Sequence, residues 1–213
     1  MYNAFISFFK AGDDPLGIAF MVFIGCVLAI GLAIALERYL YLTVAKGNNR
    51  RMMSKVMPLL QRGDYKQAYS VASKSNHAVS RMLSQGLSRY KSASNRDDIE
   101  TAMEESMMET IPRLEKRTHY LATFANIATL LGLLGTIMGL IKAFTAVAAV
   151  DPALKAEILS TSISVAMNTT AFGLMVAIPL LLLHTVLQTK TTEIVDSLEM
   201  ATVKFVNLMM QRK

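Results

Sequence analysis

Three long apolar runs dominate the hydrophobic pattern of the chain. Residues 16–36, 120–141 and 163–187 each lack Asp, Glu, Lys and Arg. A helix of about 20 residues, rising roughly 1.5 Å per residue, crosses the ~30 Å core of a bilayer. A buried soluble helix rarely stays uncharged for this long, and here it happens three times. The runs predict three membrane-spanning helices.

The stretch between the first and second runs is polar with helical periodicity. Residues 49–61 read as one helix, and Gly63-Asp64 then breaks the chain. Asp64 is suited to cap a second helix, with Tyr65, Ala68, Tyr69 and Ala72 at helical spacing. Ser75-Asn76 separates it from a third helix over 79–90, and the sequence SASNRDD reads as a turn. From Asp98 a stripe of Met103, Met107, Met108, Ile111 and Leu114 runs on into the second span, bent at Pro112. This Met stripe reads as helix packing. After the third run Ile194, Leu198, Ala201, Phe205 and Leu208 keep helical spacing, and 185–213 holds no Gly or Pro. The third span therefore continues as one long helix whose apolar stripe needs a neighbour: another subunit's tail or the loop helices.

Lys and Arg set the orientation. Of the 22 basic residues, 15 lie in 37–119 and four in 188–213. Those segments are cytoplasmic, and the N-terminus is outside. The expected organisation is an all-α membrane protein. It has a periplasmic segment 1–15, a first span 16–36, a helical cytoplasmic loop 37–119 and a second span 120–141. A periplasmic connection 142–162, a third span 163–187 and a cytoplasmic helical tail 188–213 follow. Phe5, Phe8 and Phe9 suit a short interfacial helix. A cleaved signal peptide would want a basic flank and a shorter apolar core. Asp13 and Asp14 beside a single Lys10 argue that the first run stays as a span.

Composition agrees. Charged residues make up 18% of the chain, against about 25% in soluble domains, and mean hydropathy is +0.37. The net charge of +6 follows from topology. Nine acids interleave with the basic residues of the loop, so nucleic-acid binding is not expected. One cysteine, Cys26, excludes a disulfide scaffold and a Cys-based zinc site. No metal-ligand spacing, phosphate-binding glycine loop or Ser-His-Asp pattern is readable. The chain is expected not to be an enzyme and to hold no cofactor or metal.

The informative residues lie inside the spans. In LLGLLGTIMGLIKAF, Gly132, Gly135 and Gly139 fall within two turns, and Gly135 and Gly139 form a small-xxx-small pair. Asn126, Thr129 and Thr136 accompany them. In the third span Ser162, Ala166, Thr170, Gly173, Ala177 and His184 share one sector, with Thr169 at its border. One such stripe is ordinary helix packing. Two matching stripes point to a polar-lined cavity or pore wall, and to a homo-oligomer, because a lone subunit would leave both stripes to lipid.

LLGLLGTIMGLIKAF, with TTAFGLMVAIP about 30 residues later, resembles the MotA/TolQ/ExbB family of ion-channel subunits. ERYLYL and GDYKQA in the first loop are similar to that family too. Three spans with the N-terminus outside resemble its ExbB/TolQ branch. The resemblance implies a subunit of a motor in the bacterial inner membrane. There a pentameric ring surrounds a single-span partner of ExbD/TolR or MotB type, which supplies an intramembrane Asp, and proton flow drives mechanical work. It makes Thr136 and Thr170 pore-lining, with Thr129, Thr169 and Ser162 beside them. Gly132, Gly135, Gly139 and Gly173 become packing positions, and His184 a polar group at the inner mouth.

Two positions depart from the branch pattern. Val165 stands where a Glu is expected five residues before Thr170, and Thr129 where a Pro usually precedes LLGLLGT. No span carries a carboxylate, and threonine hydroxyls do not titrate near neutral pH. A proton cycle needs an acid that is alternately neutral and charged, so this chain must borrow one. The doubled Thr169-Thr170 instead resembles sodium-driven members of the MotA branch. The branch as a whole favours H+ over Na+.

Overall fold

The computed structural model describes residues 15–90, 96–148 and 150–210, and all the elements in them are helices. They are α1 Pro15–Arg62, α2 Tyr65–Ser73, α3 Ala78–Tyr90, α4 Arg96–Glu115, α5 His119–Ala148 and α6 Pro152–Met210. The interfacial helix expected around Phe5, Phe8 and Phe9, and most of the SASNRDD turn, lie outside the described residues. Three stretches are long and apolar enough to cross a membrane: Gly17–Arg62, Arg96–Ala148 and Pro152–Met210.

Local chemistry explains the helix ends. Gly63 takes φ 80°, a left-handed conformation that glycine adopts without a Cβ penalty. Its N–H reaches the Leu60 carbonyl at 3.1 Å, and the Asp64 N–H reaches that of Leu59 at 3.0 Å, closing α1. Asp64 then starts α2, its carboxylate accepting the Gln67 N–H at 3.3 Å. The expected break and cap thus share one two-residue link. The helix read over 49–61 is not separate, because α1 runs through Gly47 without interruption.

Two further differences concern continuity. The pattern from Asp98 was expected to run unbroken into the second span. The chain breaks instead at Arg117, a non-glycine residue at φ 66°. The new start is stitched by the Tyr120 N–H to the Arg117 carbonyl at 3.2 Å and the Leu121 N–H to that of Thr118 at 3.2 Å. Helix also occupies most of 142–162, since α5 runs to Ala148 and α6 starts at Pro152.

The chain folds as two compact units. The first takes the described residues up to Leu36 together with Arg117–Thr185. Its core is Ile24 of α1, Leu121, Ala125 and Ala128 of α5, and Ala166, Val176 and Leu180 of α6, all nearly inaccessible. Large apolar side chains such as Phe23, Leu130, Phe144 and Leu182 point outward, as a lipid-facing surface requires. The second unit takes Glu37–Lys116 with the described tail from Val186. The tail stripe is buried here: Ile194, Leu198, Ala201 and Phe205 are at most 1% exposed. Leu208 is only half-buried, and Met209 occupies the core position instead. The neighbour the stripe needed is the loop, because a Cβ on Gly86 of α3 would sit 2.9 Å from both the Met103 sulfur and the Phe205 ring. Met103 and Met107 are core residues, as packing demands, whereas Met108 is 71% exposed.

Candidate functional site

The site grows from the close approach of α5 and α6. On α5 the small residues recur at Ala128, Gly132, Gly135 and Gly139; on α6 at Ala166, Thr169, Thr170 and Gly173. These two rows face each other within one chain. A Cβ added to Gly173 would lie 2.6 Å from the Ala128 carbonyl oxygen and 3.0 Å from Gly132 Cα. One added to Gly132 would lie 3.2 Å from the Thr169 oxygen and from Thr170 Cα. Gly139 leaves room for Ala166, whose Cβ would be 2.7 Å away. Gly135 leaves room for the Thr169 methyl. Only glycine permits backbones to meet this closely, and contact between small residues is how membrane helices associate.

This corrects the argument made for a homo-oligomer. The glycines were expected to be left to lipid in a lone subunit. Gly132, Gly135, Gly139 and Gly173 are instead used inside the chain.

The close approach brings two hydroxyls together. Thr136 Oγ1 and Thr170 Oγ1 are 2.8 Å apart. Thr170 also donates to the Gly132 carbonyl at 2.8 Å, and Thr136 lies 2.7 Å from the Leu133 carbonyl and 3.3 Å from that of Gly132. Two hydroxyls hold two protons. Either Thr170 donates to the Gly132 carbonyl and Thr136 donates to Thr170, or Thr170 donates to Thr136 and Thr136 donates to the Leu133 or Gly132 carbonyl. The pair therefore has two arrangements of similar geometry and spare lone pairs to accept from water. Both threonines are half-buried rather than sealed. The pair can order water or hydrogen-bond a protonated acid, but it cannot itself carry charge near neutral pH.

The other candidate residues fall elsewhere. Thr169 is 2% exposed, its methyl under Gly135 and its hydroxyl donating to the Val165 carbonyl at 3.3 Å. Assembly only reduces exposure, so in this conformation its side chain belongs to the helix seam and not to an open face. Thr129 is half-buried, its hydroxyl donating to the Ala125 carbonyl at 3.1 Å. It stands seven residues, about 10 Å of helix, from Thr136. Ser162 and His184, both half-buried, lie about 12 and 21 Å along α6 from Thr170. The structure thus joins Thr136 to Thr170, seats Thr169 beside them, and leaves Thr129, Ser162 and His184 apart. Among the described residues no cluster of three His, Cys, Asp or Glu could hold a metal.

The second unit contains a residue whose role the sequence did not reveal. Arg38, in ERYLYL, is only 3% exposed. Its guanidinium donates to the Leu114 carbonyl and, at 3.4 Å, to that of Arg113. Those carbonyls belong to the last turn of α4, where no further helical N–H is available. A cation there also meets the negative end of the helix dipole. The only sequence signal was an arginine directly behind an apolar run, which reads equally well as a span boundary.

Comparison with known proteins bears on most of the chain. A protein of Methanothermobacter thermautotrophicus described as a biopolymer transport protein ExbB homolog is 29% identical over 173 residues, covering 80% of this chain and 60% of the relative. The biopolymer transport protein ExbB of Aquifex aeolicus is 32% identical over 111 residues, 52% of this chain and 72% of the relative. The Tol-Pal system protein TolQ of Haemophilus influenzae is 37% identical over 78 residues, 37% of this chain and 34% of the relative. The chain thus spans about 60% of the length of the Methanothermobacter protein. Residues 74–200 match the sequence profile of the MotA/TolQ/ExbB proton channel family. With three helices able to cross a membrane and ExbB and TolQ among its relatives, this is a multi-pass inner-membrane protein, and it belongs to the MotA/TolQ/ExbB proton channel family as an ExbB/TolQ-like member.

Proposed function

We propose that this chain is the ring-forming channel subunit of an inner-membrane motor, coupling proton flow to mechanical work through a single-span partner of ExbD/TolR type. One observation carries the reading: a half-buried pair of hydroxyls, Thr136 and Thr170, sits in spans that contain no carboxylate. Such a pair orders water or hydrogen-bonds an acid but needs a titrating group from elsewhere. A partner Asp, expensive in a membrane and therefore functional there, would supply it. The partner's acid would be neutral when bonded to the hydroxyl pair and charged when turned toward water.

Protons are favoured over sodium by the place of Thr169. A sodium site built on the doubled threonine would need both hydroxyl oxygens open to the ion. The Thr169 side chain is 2% exposed, packed under Gly135, and so is closed to an ion in this arrangement. The ring itself, with five copies as in the family, would be built on the outward apolar faces of the spans, since the glycine rows are taken.

The test is Thr170→Val in proteoliposomes carrying the chain with a single-span partner. The substitution keeps the shape and removes the hydroxyl. Proton flux should fall at least tenfold while the oligomer seen by native mass spectrometry is retained. Wild-type flux in Thr170→Val would overturn the role of the pair. Loss of wild-type activity in sodium-free medium, restored by sodium and not by potassium, would overturn the proton reading.

A further inference from the structure

Two polar groups in the spans lack hydrogen-bond partners of complementary kind. Pro179 lies inside α6, in the third apolar run. A proline has no N–H, so the Met175 carbonyl loses the donor that a helix supplies four residues on. Hydrocarbon offers no replacement, and prolines are tolerated in spans where a neighbouring helix supplies one. α5 carries the reverse defect. Asn126 lies about 9 Å inside the second apolar run, counted from Tyr120. It is exposed, and among the described residues its amide has no hydrogen-bond partner. An amide left to lipid is costly as well.

Both groups lie on faces turned away from the α5–α6 seam. At about 100° per residue, Asn126 stands roughly 120–180° around α5 from the seam residues Gly132, Gly135 and Gly139. Met175 stands roughly 120–180° around α6 from Ala166, Thr169 and Gly173. Within one chain the two cannot meet. They nevertheless share a depth. Gly139 faces Ala166 and Gly132 faces Gly173, so the helices run antiparallel, residue for residue. Continued along both, that register sets Asn126 level with Pro179, whose missing N–H leaves the gap. Copies related by an axis along the membrane normal keep one depth, so the match holds between copies. In a closed ring the far face of α5 in one copy meets the far face of α6 in the next, a heterologous contact. Exposed apolar side chains flank both groups, Leu130 and Leu133 beside Asn126 and Ile178 beside Pro179. A donor on one face and an acceptor on the other, at one level, suit a second copy of this chain and need no further molecule.

We propose that the Asn126 amide of one copy donates to the Met175 carbonyl of the next, the carbonyl that Pro179 leaves free, and that this bond fixes the contact between copies. The inference rests on the ring of the proposed function and adds the faces and the hydrogen bond that close it. A single Asn sets register in coiled coils in the same way, because every other register leaves its amide unpaired.

The experiment uses the full chain alone in detergent. Native mass spectrometry follows dissociation of the oligomer on dilution for wild type, Asn126→Leu, Pro179→Ala and the double variant. Asn126→Leu keeps the volume and removes the donor. Pro179→Ala returns an N–H that recaptures the Met175 carbonyl within α6. Each should raise the concentration of half-dissociation about three- to tenfold, the range for hydrogen bonds between membrane helices. The double variant should assemble no worse than the poorer single one, because both changes break the same bond. Circular dichroism checks that each variant keeps its helix. A covalent readout stands beside this one. With Cys26→Ser as background, Asn126→Cys combined with Ile178→Cys should form disulfides between chains on oxidation, and Asn126→Cys alone should not. The proposal is overturned if Asn126→Leu assembles like wild type, if the two single losses add in the double variant, or if the cysteine pair gives no disulfide between chains. A wild-type chain that stays monomeric would overturn the ring and this contact together, whereas an intact ring unaffected by Asn126→Leu overturns the contact alone.

Discussion

Gly173→Ala tests the α5–α6 seam most sharply, because the atoms it would strike are backbone. The new Cβ would lie 2.6 Å from the Ala128 oxygen and 3.0 Å from Gly132 Cα, where ordinary contact begins at 3.4 Å. No side chain can rotate away, so α6 must retreat from α5. Restoring ordinary contact takes roughly 0.8 Å, enough to forfeit a quarter to a half of the dispersion attraction along the seam. The same retreat stretches the Thr136–Thr170 contact from 2.8 Å to roughly 3.6 Å, past hydrogen-bond reach. Overpacking of this kind costs about 1–3 kcal/mol, and the lost hydroxyl contact adds about 0.6 kcal/mol. Replacing glycine by alanine in a helix returns about 1 kcal/mol. A net loss of about 0.6–2.6 kcal/mol follows from these terms. Gly25→Ala is the internal control, since a Cβ there meets nothing within 4 Å and only the propensity gain remains. The assay is detergent unfolding of both variants by circular dichroism, with proton flux measured alongside. Equal stability of the two variants, or wild-type flux in Gly173→Ala, would refute the reasoning.

Three further outcomes are expected. Thr169→Val removes a hydroxyl whose hydrogen bond stays within its own helix and keeps the shape under Gly135; proton flux should stay within twofold of wild type, and a loss like that of Thr170→Val in the same flux assay would show that Thr169 acts on the ion. Arg38→Met keeps much of the side chain's length and removes the donors to the Arg113 and Leu114 carbonyls; thermal melting of the chain should show a loss of about 1.5–3 kcal/mol, the range for hydrogen bonds from charged groups. Gly47→Ala lies in mid-helix with nothing within 4 Å of the new methyl; chemical denaturation should show a gain of about 0.5–1 kcal/mol.

Much of the architecture was legible because a membrane and a helix each impose a simple rule. Apolar length alone marked the three spans, and the period of 3.6 marked the tail stripe of Ile194, Leu198, Ala201 and Phe205 as buried. Gly63-Asp64 announced its break through the residue types that a left-handed turn and a helix cap require. The break at Arg117 gave no such notice, because an arginine at positive φ has no sequence signature. The candidate site was legible in part. Thr136 and Thr170 were picked out by the small and hydroxylated residues around them, and they meet at 2.8 Å. Thr169, one residue away, looked equally available and is sealed under Gly135, a difference made by 100° of helix rotation against a neighbour.

The sequence by itself determined the all-helical class, three helices long and apolar enough to cross a membrane, the faces on which small and hydroxylated residues gather, and the want of a carboxylate in the apolar runs. These follow from composition and period, which need no partner to be read. Only the tertiary structure decided which face meets which. Helical periodicity places residues around one axis and is silent about the second. The glycine rows could therefore have met another subunit; in the fold they meet each other, because Ala128, Gly132 and Gly173 let the two backbones of one chain come within 2.6–3.3 Å of any added Cβ. Arg38 was undecided for the same reason. An arginine behind an apolar run has the same local appearance in water as it has beneath the end of α4. Burial, and with it the capping of the Leu114 carbonyl, arises only when a helix distant in sequence is packed against it.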